Sequence, residues 1–234
     1  MVKKRLKAIL LGLVLFLISY LSIAALWANS VAEELLQTTP SANYQIEIQP
    51  QHLAALIKIE DPDFYDHHGL SISKGEGLTT ITSVVARDLF LHTQDIDGFR
   101  GAFQAFYRAA FKCCKRIDLG RDMMAVVLRF HATRQQQLNL FINNAYWGTM
   151  NGKAVIGMDA AARAYYEKNV FDLTDDEFYG LIAMLMAPNT YHTIVNPELH
   201  AERVQRIRAV VAGQCMPSGW LDLTYDHCDS GEPN

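Results

Sequence analysis

A chain of 234 residues, half of them apolar, holds enough material for one domain with a sizeable core. The formal net charge of −4, with the basic residues scattered rather than massed, excludes the electrostatic footprint of a nucleic-acid binder. The four cysteines, two of them adjacent at Cys113 and Cys114, match neither a zinc-ligand spacing nor a redox motif.

The first element in chain order carries the clearest physical signal. Lys3, Lys4, Arg5 and Lys7 form a basic cluster, and an uncharged apolar run follows over residues 8–27. A run of about 20 helical residues, rising about 1.5 Å each, crosses a hydrocarbon core of about 30 Å. Basic residues stay on the cytoplasmic side, so the rest of the chain is expected to emerge on the far side. Tyr20 and Trp27 are expected at interfacial depth. A cleaved signal peptide is the competing reading, since Ser22-Ile23-Ala24 and Ala28-Asn29-Ser30 offer small-x-small sites. The length of the run favours an uncleaved anchor. The expected division is therefore a basic tip and anchor at 1–28, a juxtamembrane segment at 29–48, a main domain at 49–213 and a tail at 214–234.

Beyond the Thr-Thr-Pro-Ser break at 38–41, the apolar residues Leu53, Leu56, Ile57 and Ile59 predict a short helix running into Glu60-Asp61-Pro62. A second helix is predicted from Thr79 to Leu91, and an aromatic-rich one over residues 97–112. Residues 121–147 lack Gly and Pro and predict one or two helices; another is predicted over 160–166. Thr174 followed by Glu177 is a capping-box pattern opening a helix that stops before Pro188. The last helix is predicted over 197–212, with Arg203, Arg206 and Arg208 facing solvent. No long stretch alternates with period two, so the fold class expected is mainly α. Cys215 and Cys228 lie in a tail rich in Pro, Gly and Asp, where loop closure by a disulfide competes with two reduced thiols.

The densest group of ionisable residues is Glu60-Asp61-Pro62-Asp63-Phe64-Tyr65-Asp66-His67-His68-Gly69, at the end of an apolar helix. A carboxylate held against apolar surface has its pKa raised and serves as a base near neutral pH. By composition alone this segment also reads as an acidic turn between helices, with Phe64 in the core.

This segment resembles the first motif of the peptidoglycan glycosyltransferases of family 51, Glu-Asp-x-x-Phe-x-x-His-x-Gly, in which Glu60, Asp61, Phe64, His67 and Gly69 fit without a gap. The residues from Gly77 to Val84, with Arg87 beyond them, resemble the second motif, Gly-x-Ser-Thr-Ile-Thr-Gln-Gln followed by Lys; Ser83 and Val84 replace its two glutamines. Phe141 to Gly148, the stretch from Gly157 to Lys168, and the run from Leu173 to Asn189 with Asn196-Pro197 after it resemble further family motifs in the same order. In the third motif, Arg-Lys-x-x-Glu, Arg121 stands where the family has its glutamate. Asp122 is next to it, turned by about 100° if both are helical.

The resemblance implies a lysozyme-like helical glycosyltransferase domain behind one transmembrane helix, on the periplasmic side of a bacterial inner membrane. It implies sugar transfer with inversion, from undecaprenyl-pyrophosphate-linked glycan to lipid II. Glu60 would be the base, and Asp122 a second carboxylate in place of the third-motif glutamate. Asp61, Phe64, His67, Thr79, Thr80, Thr82, Arg87, Lys115, Arg116, Arg121 and Asn143 would be the substrate contacts. A divalent cation, Mg²⁺ or Mn²⁺, would assist at the pyrophosphate, with ligands not specified, and cell-wall synthases are expected as partners. The rival readings are a non-catalytic relative that binds lipid II or a synthase, and a lytic enzyme with a single glutamate.

Overall fold

The computed structural model describes residues 2–71, 79–110 and 118–230. Among these the chain forms the helices α1 (Val2–Thr38), α2 (Pro50–Glu60), α3 (Ile81–Leu91), α4 (Gly98–Ala110), α5 (Leu119–His131) and α6 (Arg134–Asn144). A two-stranded antiparallel hairpin, β1 (Tyr146–Met150) and β2 (Lys153–Ile156), precedes α7 (Met158–Tyr166), α8 (Asp175–Met186) and α9 (Pro197–Val211). The mainly α expectation holds. The chain divides into two compact units: residues 1–39, 68–70 and 82–133 form the first, and 40–67, 71–81 and 134–234 the second.

In the first unit, α1 has two different halves. From Leu6 to Ile18 its large apolar side chains are exposed, and the helix is long and apolar enough to cross a membrane. From Ala24 onward the residues Ala24, Trp27, Ala28, Val31, Ala32, Leu35 and Leu36 are buried. Their three- and four-residue spacing makes one stripe, which packs against α4 and α5. Trp27 is therefore not a free interfacial anchor: its indole N–H donates to the Arg100 carbonyl at 2.9 Å, and its ring lies 5.0 Å from that of Phe103. The helix also runs unbroken through residue 28, so residues 29–38 are helical, and it ends at the Thr-Thr-Pro-Ser break.

α3 begins at Ile81, two residues later than predicted, and the predicted stretch 121–147 is two helices that end at Asn144. Gln104 fastens α4 to the end of α3. It is buried, and its amide donates to the carbonyls of Phe90 and Gln94 at 2.8 and 3.0 Å.

The second unit is built by local signals that stop and start helices. Pro50 and Pro197 occupy the first turns of α2 and α9, where a missing N–H costs nothing. Thr174 and Glu177 form the predicted capping box at the start of α8. The hairpin was not predicted; it turns at Asn151-Gly152, both at positive φ. Leu56, Phe64, Trp147, Phe178, Leu181, Ile182 and Ile207 are fully buried and form the core. His52, also buried, stacks on Phe178 with centroids 4.4 Å apart and meets Asp175 at 2.9 Å. Arg203, expected to face solvent, is 2% exposed. In the tail, Cys215 and Cys228 form a disulfide.

Candidate active site

Glu60 is the last residue of α2. The helix stops there because Pro62 disfavours the helical conformation in the residue before it, and Asp61 adopts φ −162, ψ 76. Asp61 and Glu60 are neighbours in sequence with opposite surroundings. Asp61 is fully buried, both of its carboxylate oxygens lie 3.0 Å from His67 Nε2, and Oδ2 accepts the Ile81 N–H at 2.8 Å. That carboxylate ties the turn to the segment carrying the second motif. Phe64 is fully buried, with the Arg134 guanidinium 4.7 Å above its ring, and Arg134 also donates to the His67 carbonyl. Asp61, Phe64 and His67 were expected to touch substrate; here they hold the turn. Gly69 ends the motif for a steric reason. It sits at φ +108, and a Cβ there would come 2.8 Å from the Ala125 carbonyl carbon.

Glu60 itself is half-buried. Burial pushes its carboxyl up to about 7, the Arg203 guanidinium pulls it down, and the Asp61 charge adds a further push upward. Arg203 lies between the rings of Tyr191 and Tyr225, 5.3 and 5.4 Å from their centroids, and donates to the carbonyls of Leu223 and Thr224 at 2.7 and 3.2 Å. A carboxyl that titrates near neutrality accepts a proton without being permanently ionised, which suits a general base. Sequence reasoning missed Arg203 and Tyr225. The signal for Arg203 was present: His200, Arg203, Val204 and Ile207 fall at helical spacing, and all four are buried.

The second-motif hydroxyls divide. Thr79 is exposed, whereas Thr80 and Thr82 are buried, so only Thr79 is open to solvent as expected of a substrate contact. Arg87 keeps 42% of its side chain exposed and pairs with Asp88 at 2.8 Å. Asn143 donates to the carbonyls of Tyr44 and Asn139, both at 2.8 Å, and so fastens residues 41–44 rather than presenting its amide to a ligand. Lys115 and Arg116 lie outside the described residues.

At the third motif, Asp118 caps α5 by accepting the Arg121 N–H at 3.1 Å, and it also accepts the Tyr107 hydroxyl. Burial raises the Tyr107 phenol well above its usual range, and the Asp118 bond reinforces the shift. Gly120 permits this arrangement, because a Cβ there would lie 2.2 Å from the Tyr20 hydroxyl and 2.6 Å from that of Tyr107. Arg121 is 6% exposed, with Nη2 3.8 Å from Asp122 Oδ1. The Asp122 carboxyl is raised by burial, lowered by Arg121 and raised again by Asp118. Arg121 is a buried guanidinium beside Asp122, and the Asp118 carboxylate is engaged by two donors of its own unit.

The family model for transglycosylases matches residues 30–212. The chain belongs to the transglycosylase family. Among curated relatives, penicillin-binding protein 1F of Bacillus subtilis is 31% identical over 189 residues, covering 75% of this chain and 23% of the relative. Penicillin-binding protein 1A of Escherichia coli is 26% identical over 75% of this chain and 19% of its own length. Penicillin-binding protein 1A of Vibrio cholerae is 28% identical over 81% of this chain and 22% of its own. The chain thus spans about a quarter or less of the relatives it matches. Its helical architecture is the lysozyme-like transglycosylase fold. The match begins at residue 30, inside α1, so the transglycosylase region includes helix that the sequence had assigned to a juxtamembrane segment.

Proposed function

We propose that this transglycosylase is a membrane-anchored peptidoglycan glycosyltransferase that polymerises lipid II into glycan strands. The observation that supports it most is Glu60, a motif carboxyl pushed up to about 7 by burial at the end of α2. In the proposed step the acceptor's 4-hydroxyl oxygen attacks the anomeric carbon of the donor sugar. The bond from that carbon to the undecaprenyl pyrophosphate breaks, and the hydroxyl proton passes to Glu60. The resemblance assigns Thr79 and Arg87, each open to solvent within its own unit, to the departing pyrophosphate. Arg121 carries a fixed positive charge where the family has a carboxylate, so no step is assigned to Mg²⁺ or Mn²⁺.

The exposed apolar half of α1 supports a single-pass anchor in the inner membrane. The basic cluster at 3–7 supports a periplasmic position for the rest of the chain. Both substrates are membrane lipids, which gives the anchor a purpose. The test is polymerisation of purified lipid II by the full chain in detergent: glycan polymer from wild type and none from Glu60→Gln is the expected result. A second reading is favoured by Ser83, Val84 and Arg121, which replace family residues. In it the chain binds lipid II or a cell-wall synthase without catalysis. Lipid II binding with no polymer would establish that reading and overturn the first. Cleavage of finished glycan would overturn both.

A further inference from the structure

The transglycosylase match ends at residue 212, and the described chain continues to 230. This continuation is organised. Cys215 and Cys228 close it by a disulfide 13 residues apart in sequence. Inside the loop, the Ser218 N–H and hydroxyl both donate to Asp222 Oδ2, at 2.8 and 3.0 Å, and Asp222 Oδ1 accepts the Tyr225 N–H at 3.2 Å. Asp226 accepts from Thr224 at 2.8 Å and from Arg206 of α9 at 2.5 Å. These bonds fix Tyr225 at φ 54. That region is uncommon for a bulky aromatic residue, so it persists only where the surroundings hold it.

Tyr225 is held in a functional place. It is 2% exposed, its ring lies against Arg203, and its hydroxyl is 3.5 Å from the Ile59 carbonyl, one residue before Glu60. The carbonyls of Leu223 and Thr224, also in the continuation, accept from the Arg203 guanidinium. The continuation therefore touches both the helix turn that carries the proposed base and the cation opposite it.

We propose that residues 214–230 are a positioning strap for Glu60: the Cys215–Cys228 bond closes the strap, and Tyr225 seats Arg203 and the last turn of α2. The role of Glu60 as base rests on the glycosyltransferase reading; the seating does not. The charged and titratable groups facing Glu60 are Arg203 from α9, Tyr225 from the strap and Asp61 from its own turn. Burial likewise lifts the Tyr225 phenol to about 12, in keeping with a dry contact. Removing the Tyr225 ring takes away one side of the Arg203 seat and opens the last turn of α2 to more water.

The test is a pH titration of the Glu60 carboxyl by ¹³C NMR, in the full chain labelled at glutamate Cδ and held in detergent, with Glu60→Gln assigning the signal. Tyr225→Ala is expected to lower the midpoint by about one pH unit, a tenfold change in the protonation equilibrium. Tyr225→Phe, which keeps the ring, is expected to leave it near the wild-type value. The double change Cys215→Ser/Cys228→Ser is expected to lower it in the same direction. An unchanged midpoint in Tyr225→Ala with the helical circular dichroism intact overturns the strap; if that variant does not fold, the cysteine pair is read in the same way. The titration needs no turnover. A wild type that makes no polymer yet titrates near neutrality sinks the glycosyltransferase reading and leaves the strap standing. A polymerising wild type whose midpoint ignores these changes does the reverse.

Discussion

Replacing Glu60 by Gln should stabilise the protein above neutral pH and do little in mild acid. The folded carboxyl titrates at about 7 against an ordinary value of 4.5, chiefly because it is buried. The folded state therefore binds the proton more tightly than the unfolded chain does. Stability from the protonated form is fully present below about pH 4.5 and is lost as pH rises through about 7. The gap is about 2.5 pH units, and at about 1.36 kcal/mol per unit it amounts to about 3 kcal/mol once both states have ionised. Gln is nearly the shape of the neutral acid and never ionises, so the variant avoids this loss. Denaturant unfolding of the full chain in detergent, followed by far-ultraviolet circular dichroism, measures the difference. Near pH 4.5 the two proteins should differ by a few tenths of a kcal/mol, and near pH 8 the Gln variant should be ahead by about 3 kcal/mol. An advantage that is the same at both values, or absent at both, would refute the claim that Glu60 is held protonated by its surroundings.

Gly120→Ala should cost about 1–3 kcal/mol, because the new methyl would lie 2.6 Å from a Tyr107 hydroxyl that Asp118 holds in place. Thermal melting checks this, and partial recovery in Gly120→Ala/Tyr107→Phe would trace the cost to that clash. Asp61→Asn should cost about 1.5–3 kcal/mol by weakening bonds to a buried charged acceptor. The same denaturant experiment reads it, and a silent change would mean that Asp61 does not tie the turn. A reporter that works only in the periplasm, fused after Asn234, should be active; activity of a cytoplasm-only reporter would overturn the orientation inferred from Lys3, Lys4, Arg5 and Lys7.

What was legible in the sequence was whatever local chemistry decides. Pro50, the Thr174–Glu177 box and Pro197 mark helix starts because they satisfy or remove end N–H groups without any help from distant residues. The Asn151-Gly152 turn was equally local and was passed over, since its strands are too short to show alternation. The second half of α1 was hidden differently. Glu33 and Glu34 make it read as polar, yet Ala24, Ala28, Val31 and Leu35 already trace a buried stripe. In the site, Glu60 was visible from the residue pattern, but the direction of each neighbouring side chain was not. Whether Asp61, His67, Thr82 or Asn143 faces a ligand or the core depends on which helix comes to lie over it, and no window of sequence contains that helix.

The pair Glu60 and Asp61 shows how one dipeptide is divided into two tasks. Both carboxyls belong to the same turn, and the more buried of the two is Asp61. The Asp61 oxygens are committed to the Ile81 N–H and the His67 ring, which leaves little room for an incoming hydroxyl. Glu60 meets instead a cation seated by the strap, and burial dominates its shift. Asp122 is likewise raised by burial but stands beside the buried Arg121 guanidinium. Glu60 is therefore the carboxyl assigned the proton transfer. A loss of polymerisation in Glu60→Gln accompanied by near-normal polymer in Asp122→Asn would match that division, and equal losses in both would show that Asp122 has taken the role of the missing carboxylate.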